Sequence, residues 1–360
     1  MSALANRAEP SSTQRDELVR QAGIAGGLGS PFVQRVLEAA WRQLDNAPRL
    51  GATVDHWPGD VAADAVAMRL NAGLHALARR TTFPALTRLY RERAGDFDRV
   101  IGEALALGED ELLQWLHWPT QTNEIARSSA FIAALLVASV GDPRPVELLE
   151  IGASAGLNLN LARYRHVLGG VVCGDSRSDV TLEPDWTGPP PPRTTLDIVS
   201  ARGVDLRPVA ITAPGAQERM MAFVWADRDD RASRLAAAIA VAQIHPPKVD
   251  RGDALQWLTE RLRAPQPDGV RRVIVHSMVA QYLGVSDRRG LFDAIVKAGG
   301  RATRQRPLAW ISLEWTRNRR EVQLHLTSWP DSQGEGRITT LASCHPYGDS
   351  LRWFGPSQTL

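Results

Sequence analysis

Cysteine is nearly missing from this chain: Cys173 and Cys344 are the two present in 360 residues. They stand far apart with no metal-type spacing, and such sparse usage argues against a disulfide framework. The expectation is two reduced thiols in a cytoplasmic protein. Lysine is as scarce. Of 42 basic residues, Lys248 and Lys297 are the lysines. The arginines are scattered, with no basic cluster or basic–aromatic interleaving, so no nucleic-acid partner is expected. The formal net charge of +2 gives no reason to expect a polyanion or a charged membrane surface. No apolar run reaches the about 18 residues of a membrane span. The start, Met1-Ser2-Ala3-Leu4-Ala5-Asn6, lacks the cationic-then-apolar order of a secretory leader. His245, His276, His325 and His345 are dispersed without zinc or iron spacing, so no metal is expected. Nothing constrains the oligomeric state.

What is present is ordinary globular material, 44% hydrophobic and 23% charged. The length predicts a core domain plus an appended one. Residues 15 to 140 read as helical: Phe32, Val33, Val36, Leu37, Ala40 and Trp41 keep the helical period, as do Val61, Ala65, Met68, Leu70 and Leu74. Pro31, Pro58, Pro84 and Pro119 fall where helices start or break. From Val146 the texture changes to strand-length apolar runs alternating with helices. Strands are expected at 146–151, 196–200, 248–251, 272–277, 308–314, 322–327 and 337–342. Helices are expected at 157–164, 228–243, 254–263 and 287–298, with Asp253 and Ser286 as N-caps. The segment 169–193 carries Pro189-Pro190-Pro191-Pro192 and reads as an inserted loop or hairpin.

The richest stretch is Val146-Glu147-Leu148-Leu149-Glu150-Ile151-Gly152-Ala153-Ser154-Ala155-Gly156-Leu157-Asn158. It is an apolar strand ending in an acid, a small-residue turn, then a helix. Two chemistries use such a junction. Gly152-Ala153-Ser154-Ala155-Gly156 fits the Gly-x-Ser-x-Gly elbow of a serine hydrolase, and Glu314 and His345 follow in acid-then-histidine order. Against this, no earlier strand precedes the one that leads into Ser154, and no His-Gly-Gly run supplies an oxyanion-hole loop upstream. A nucleotide-type cofactor site needs the turn on the first strand, and further acids at later strand ends to accept from ribose and adenine donors. Asp205 and Asp253 sit at such ends, and His276-Ser277 closes the fourth strand.

Glu150-x-Gly152-x-Ser154-x-Gly156 resembles the first motif of class I S-adenosylmethionine-dependent methyltransferases. Nearly the whole chain resembles the bacterial domain-of-unknown-function family 2332, through Gln121-Thr122-Asn123-Glu124, the 149–159 stretch, His245-Pro246-Pro247, His276-Ser277, Gln281-Tyr282-Leu283 and Cys344-His345-Pro346. The resemblance implies a seven-stranded Rossmann-like α/β sheet over residues 141–360, with an insertion at about 166–193 and a helical region over 1–140. It implies S-adenosylmethionine as cofactor and methyl transfer to a small-molecule or peptide acceptor, without naming that acceptor. Ser154 replaces the usual middle glycine and is expected at negative φ. The cofactor-binding set is then Asn123, Glu124, Glu150, Gly152, Ala153, Ser154, Gly156, Asn158, Asp205, Asp253, Ala254 and Ser277. His276 is the candidate base, with Glu314 and His345 behind it.

Each residue has a structural alternative. Glu150 could pair an arginine, Asp253 could merely cap its helix, and His276 could be a buried structural histidine. Trp186 and Trp225 could line the acceptor pocket or simply fill core. A non-catalytic nucleotide-binding role also stays open. The helical region and the 169–193 insertion are expected to form the acceptor pocket.

Overall fold

The computed structural model describes residues 14–330 and 336–356. The chain divides into two compact units, one of residues up to 122 with 217–232, the other of 123–216 with 233–360. The two free cysteines are unpaired with each other.

The first unit is helical: α1 (Glu17–Gly27), α2 (Pro31–Gln43), α3 (Pro48–Asp55), α4 (Val66–Arg79), α5 (Pro84–Glu92), α6 (Phe97–Leu107) and α7 (Glu109–Leu116). Pro31, Pro48 and Pro84 occupy the first helical position, where a missing N–H costs nothing. Pro58 and Pro119 lie in the connections, and α4 begins at Val66 rather than running back through Val61. Ala65 is in the left-handed region at φ +52°, which stops the helix there. Gly73 lets α7 approach α4 closely, since a Cβ would meet Leu112 and Trp115 at 2.8 and 3.0 Å.

The second unit opens with α8 (Ser128–Ala138), apolar on every face, then β1 (Pro145–Ile151). A hairpin follows, β2 (Arg165–Leu168) with β3 (Val171–Gly174), joined by β4 (Thr181–Leu182) into a small sheet. Next come β5 (Asp185–Thr187) and β6 (Asp197–Asp205). Along the chain two helices, α9 (Ala216–Ala222) and α10 (Asp229–Ile244), precede β7 (Val249–Arg251), and residues 217–232 of this stretch belong to the first unit. Then α11 (Ala254–Arg263), β8 (Arg271–Ser277), α12 (Val285–Gly299), β9 (Leu308–Trp315), β10 (Val322–Trp329), β11 (Arg337–Cys344) and β12 (Ser350–Trp353) complete the chain.

Among the described residues the main sheet has nine strands, in the order β5-β12-β11-β10-β9-β8-β1-β6-β7. Five neighbouring pairs are parallel, four of them within β7-β6-β1-β8-β9 and the fifth between β12 and β5; β9-β10-β11-β12 run antiparallel. The fold is therefore mixed α/β with a large, mostly parallel sheet, and the seven-stranded arrangement expected from the sequence is replaced by a larger sheet of different order. The 169–193 segment is part of the reason: it supplies β5 as an edge strand, with Trp186 packed 5.2 Å from Trp353. Parallel strands are covered on both faces and so read as unbroken apolar runs. Here α8, Leu148, Val275, Ile311 and Leu324 form one core, and Leu149, Ile274, Leu258, Leu291 and Ile295 form the other.

Three local expectations need correction. Residues 157–163 form a 3-10 turn rather than an α-helix. The second strand does not stop at Ser200 but runs to Asp205, because Glu147–Ile151 pair with Ser200–Val204 along its whole second half. Helix α12 starts at Val285 behind Gly284, so Ser286 lies inside it and is not its cap.

Candidate functional site

The parallel order fixes where a site can form. From β1 the chain steps outward through β6 to β7, then returns to β8 on the other side. Ligands of open α/β sheets bind at the carboxyl ends of strands, at this reversal. The 152–156 turn leaves β1 at that point.

Its backbone is left-handed three times, at Gly152 (φ +70°), Ser154 (+53°) and Gly156 (+72°). The expectation of negative φ at Ser154 is thus wrong: the turn needs the conformation, and serine bears a cost a glycine would not. Gly152 is also not glycine to leave room for a ligand, since a Cβ there would strike Val279 at 2.5 Å. Ala153 is buried, and a Cβ on Gly203 would come within 2.5 Å of it, so β6 needs a glycine opposite the turn.

Every amide N–H of the turn is used internally. Gly152 and Ala153 both donate to the Val204 carbonyl, at 2.9 and 3.0 Å. Ser154 donates to Asp205 Oδ2 at 2.8 Å, Ala155 to Asn123 Oδ1 at 3.2 Å, and Gly156 to the Ala153 carbonyl at 2.7 Å. A phosphate cradle needs such N–H groups free. This turn offers none.

What it offers instead are buried side-chain oxygens. Glu150, 3% exposed, accepts from Asn158 Nδ2 through Oε1 at 3.2 Å. Its Oε2, the Asn158 Oδ1 and the Ser154 Oγ are all buried without a hydrogen-bond partner. No arginine pairs Glu150 among the described residues. Burial pushes its carboxyl up to about 8, Asn158 opposes the shift, and the nearby Asp205 charge adds to it.

The other candidates separate into roles. Asp205 closes β6 and accepts from the amides of Ser154 and Arg207, each at 2.8 Å, so it ties the turn down and retains lone pairs for a ligand. Asn123, at φ +43° two residues before the 125–127 3-10 turn, holds the 152–156 turn by accepting from the Ala155 amide. Glu124 caps that turn through the Ala126 amide. Asp253 caps α11 through the Gln256 amide, and Ala254 is the first helical residue, so both have structural duties at the end of β7. Ser277 ends β8 opposite Leu313.

His276 and Glu314 are brought together. A carboxylate only accepts, so the 2.7 Å contact makes Nδ1 the protonated nitrogen. Glu314 Oε1 also accepts from the amides of Val279 and Ala280, at 3.0 and 3.2 Å. His276 is 1% exposed, its ring lies 6.1 Å from Phe292 and 5.9 Å from Trp310, and Nε2 is buried without a partner. His345 is elsewhere, with Nδ1 3.3 Å from Asp349. The acid–histidine order noted in the sequence therefore does not become a triad: Glu314 serves His276, His345 serves Asp349, and Ser154 Oγ bonds neither. Val279 against Gly152, and Asp205 as anchor of the turn, were not readable beforehand because both depend on register between strands distant in sequence. Trp186 donates to the Pro189 carbonyl and Trp225 is buried. Among the described residues no group of His, Cys, Asp or Glu could hold a metal, and no helix is long and apolar enough to cross a membrane.

The family model described as "Uncharacterized protein conserved in bacteria (DUF2332)" matches residues 15–353. The chain belongs to that family. The match spans both units, so the helical segments and the sheet are parts of one family architecture. No curated protein and no solved structure matches the chain.

Proposed function

We propose that this DUF2332 chain binds S-adenosylmethionine at the Gly152–Gly156 turn and directs its methyl group to a small-molecule or peptide acceptor. The observation that carries the reading is the trio of buried, unpartnered oxygens, Glu150 Oε2, Ser154 Oγ and Asn158 Oδ1, at the reversal of the sheet. A buried acceptor left unmade costs about 1–3 kcal/mol, so three together call for a ligand rich in donors. An ammonium group, ribose hydroxyls and an adenine amine are such donors. The spent amides of the turn disfavour a pyrophosphate-bearing dinucleotide. The outward-and-return order of the parallel strands is in keeping with a class I methyltransferase, although the antiparallel half of the sheet is not.

The ligand would supply an electrophilic methyl group. The chain's part is placement. Glu150 and Asn158 would hold the polar tail, with Glu150 losing its proton as a cation arrives. Asp205 and Ser154 would take hydroxyl donors. His276, with Nδ1–H fixed on Glu314, keeps Nε2 as the basic nitrogen, and would take a proton from a hydroxyl or amine acceptor once that acceptor displaces its aromatic cover. The serine-hydrolase alternative loses support, since its nucleophile needs a base in hydrogen-bond reach and Ser154 Oγ has none.

Calorimetric titration with S-adenosylhomocysteine tests the reading. Saturable one-to-one heat, lost in Asn158→Ala, is expected. No heat and no thermal shift at millimolar ligand would remove it.

A further inference from the structure

We propose that Glu314 is the positioning residue of this site, acting through the loop that follows β8 rather than on the acceptor. Three donors converge on its Oε1: His276 Nδ1 and the amides of Val279 and Ala280. Between them Met278 is held at φ +56°, a left-handed conformation that a non-glycine residue keeps only when its neighbours are fixed. The Met278 amide donates to the Leu313 carbonyl, one residue before Glu314, so β9 grips the loop at two consecutive residues. The consequence lies on the next strand. Val279 occupies the space beside Gly152 where any larger residue would carry its Cβ. Glu314 thereby sets Val279, and Val279 forms the wall against which the turn bearing Ser154, just beyond Glu150 at the end of β1, is seated. The same oxygen fixes the His276 tautomer. The position of this oxygen, more than its charge, is what the loop requires.

The inference relies on the methyltransferase reading only for its ligand probe, S-adenosylhomocysteine. Glu314→Gln keeps an acceptor oxygen in place and removes the charge. Glu314→Asp keeps the charge and draws the oxygen back by one methylene. Amide hydrogen exchange at Val279 and Ala280, which needs no ligand, should accelerate about tenfold or more in Glu314→Asp, the effect of losing one charged hydrogen bond. It should stay within about threefold of wild type in Glu314→Gln. Affinity for S-adenosylhomocysteine by calorimetry should follow the same order, and the Leu148 and Leu149 amides of β1 should remain protected in both. Exchange that is faster in Gln than in Asp would overturn the proposal, because charge would then matter more than place. Faster exchange in Asp with undiminished affinity would overturn the link from loop to turn. If the wild type fails to bind the probe while the exchange order holds, the methyltransferase reading falls and the positioning role stands.

Discussion

Replacing Glu150 with glutamine should make the protein more stable at neutral pH, by an amount that depends on pH in a defined way. Glutamine preserves the shape and the oxygen that accepts from Asn158. It removes the charge that burial penalises. The carboxyl rises from an ordinary 4.5 to about 8 on folding. A group whose folded value lies above its unfolded value holds its proton more tightly in the folded state. Its contribution is fully present below pH 4.5 and is lost as pH rises to about 8. Each unit within that window is worth about 1.4 kcal/mol. Wild type should therefore lose about 2–3 kcal/mol relative to Glu150→Gln between pH 5 and pH 7, approaching a ceiling of ~5 kcal/mol above pH 8. Denaturant unfolding of both proteins at half-unit steps from pH 4.5 to 9, followed by tryptophan fluorescence, measures this, since all other titrations cancel in the difference. A difference that stays flat across the window would refute the buried, unpaired carboxyl. A difference of opposite slope would mean that Glu150 has a cationic partner in solution.

Further outcomes follow from the same geometry. Binding S-adenosylhomocysteine at pH 6–7 should release close to one proton, seen as a dependence of calorimetric heat on buffer ionisation enthalpy and abolished in Glu150→Gln. Ser154→Gly should raise thermal stability by the equivalent of about 0.5–1 kcal/mol, because φ +53° costs glycine nothing; a lower midpoint would show that the hydroxyl has a partner. Asp205→Ala should cost about 1–3 kcal/mol in unfolding free energy through loss of the Ser154 and Arg207 amide bonds, and an unchanged denaturant midpoint would show that the turn is held without it. His276→Asn should leave S-adenosylhomocysteine binding intact and lower turnover by about 10²-fold for a hydroxyl or amine acceptor, whereas retained turnover would point to a carboxylate acceptor. Cys173 and Cys344, pushed by burial to about 11 and about 12, should react with a disulfide reagent at pH 7 at least about 10²-fold more slowly than a free thiol until the protein unfolds.

The sequence by itself determined most of the local pieces. Strand-length runs of apolar and β-branched residues located β1, β8, β9, β10 and β11, near-continuous in β8, which parallel neighbours bury, and mixed with polar residues in the antiparallel β10 and β11. The acid–glycine–serine–glycine junction marked the turn, because left-handed backbone and close packing demand small residues there. What it could not determine was pairing. Hydrogen bonds between strands leave no trace in the order of residues, so β5 and β12 as edge partners, and with them the nine-stranded order, emerged only from the fold. The same holds for residues 217–232, which group with the helical unit despite lying far along the chain. Pairing also decided the chemistry of the candidates. It set Glu314 beside His276 rather than near Ser154, and turned Asp205 into an anchor for the turn. It left Glu150, Asn158 and Ser154 with oxygens facing no donor. Whether a polar atom is satisfied depends on neighbours from other strands at hydrogen-bond distance, and only the tertiary structure fixes those.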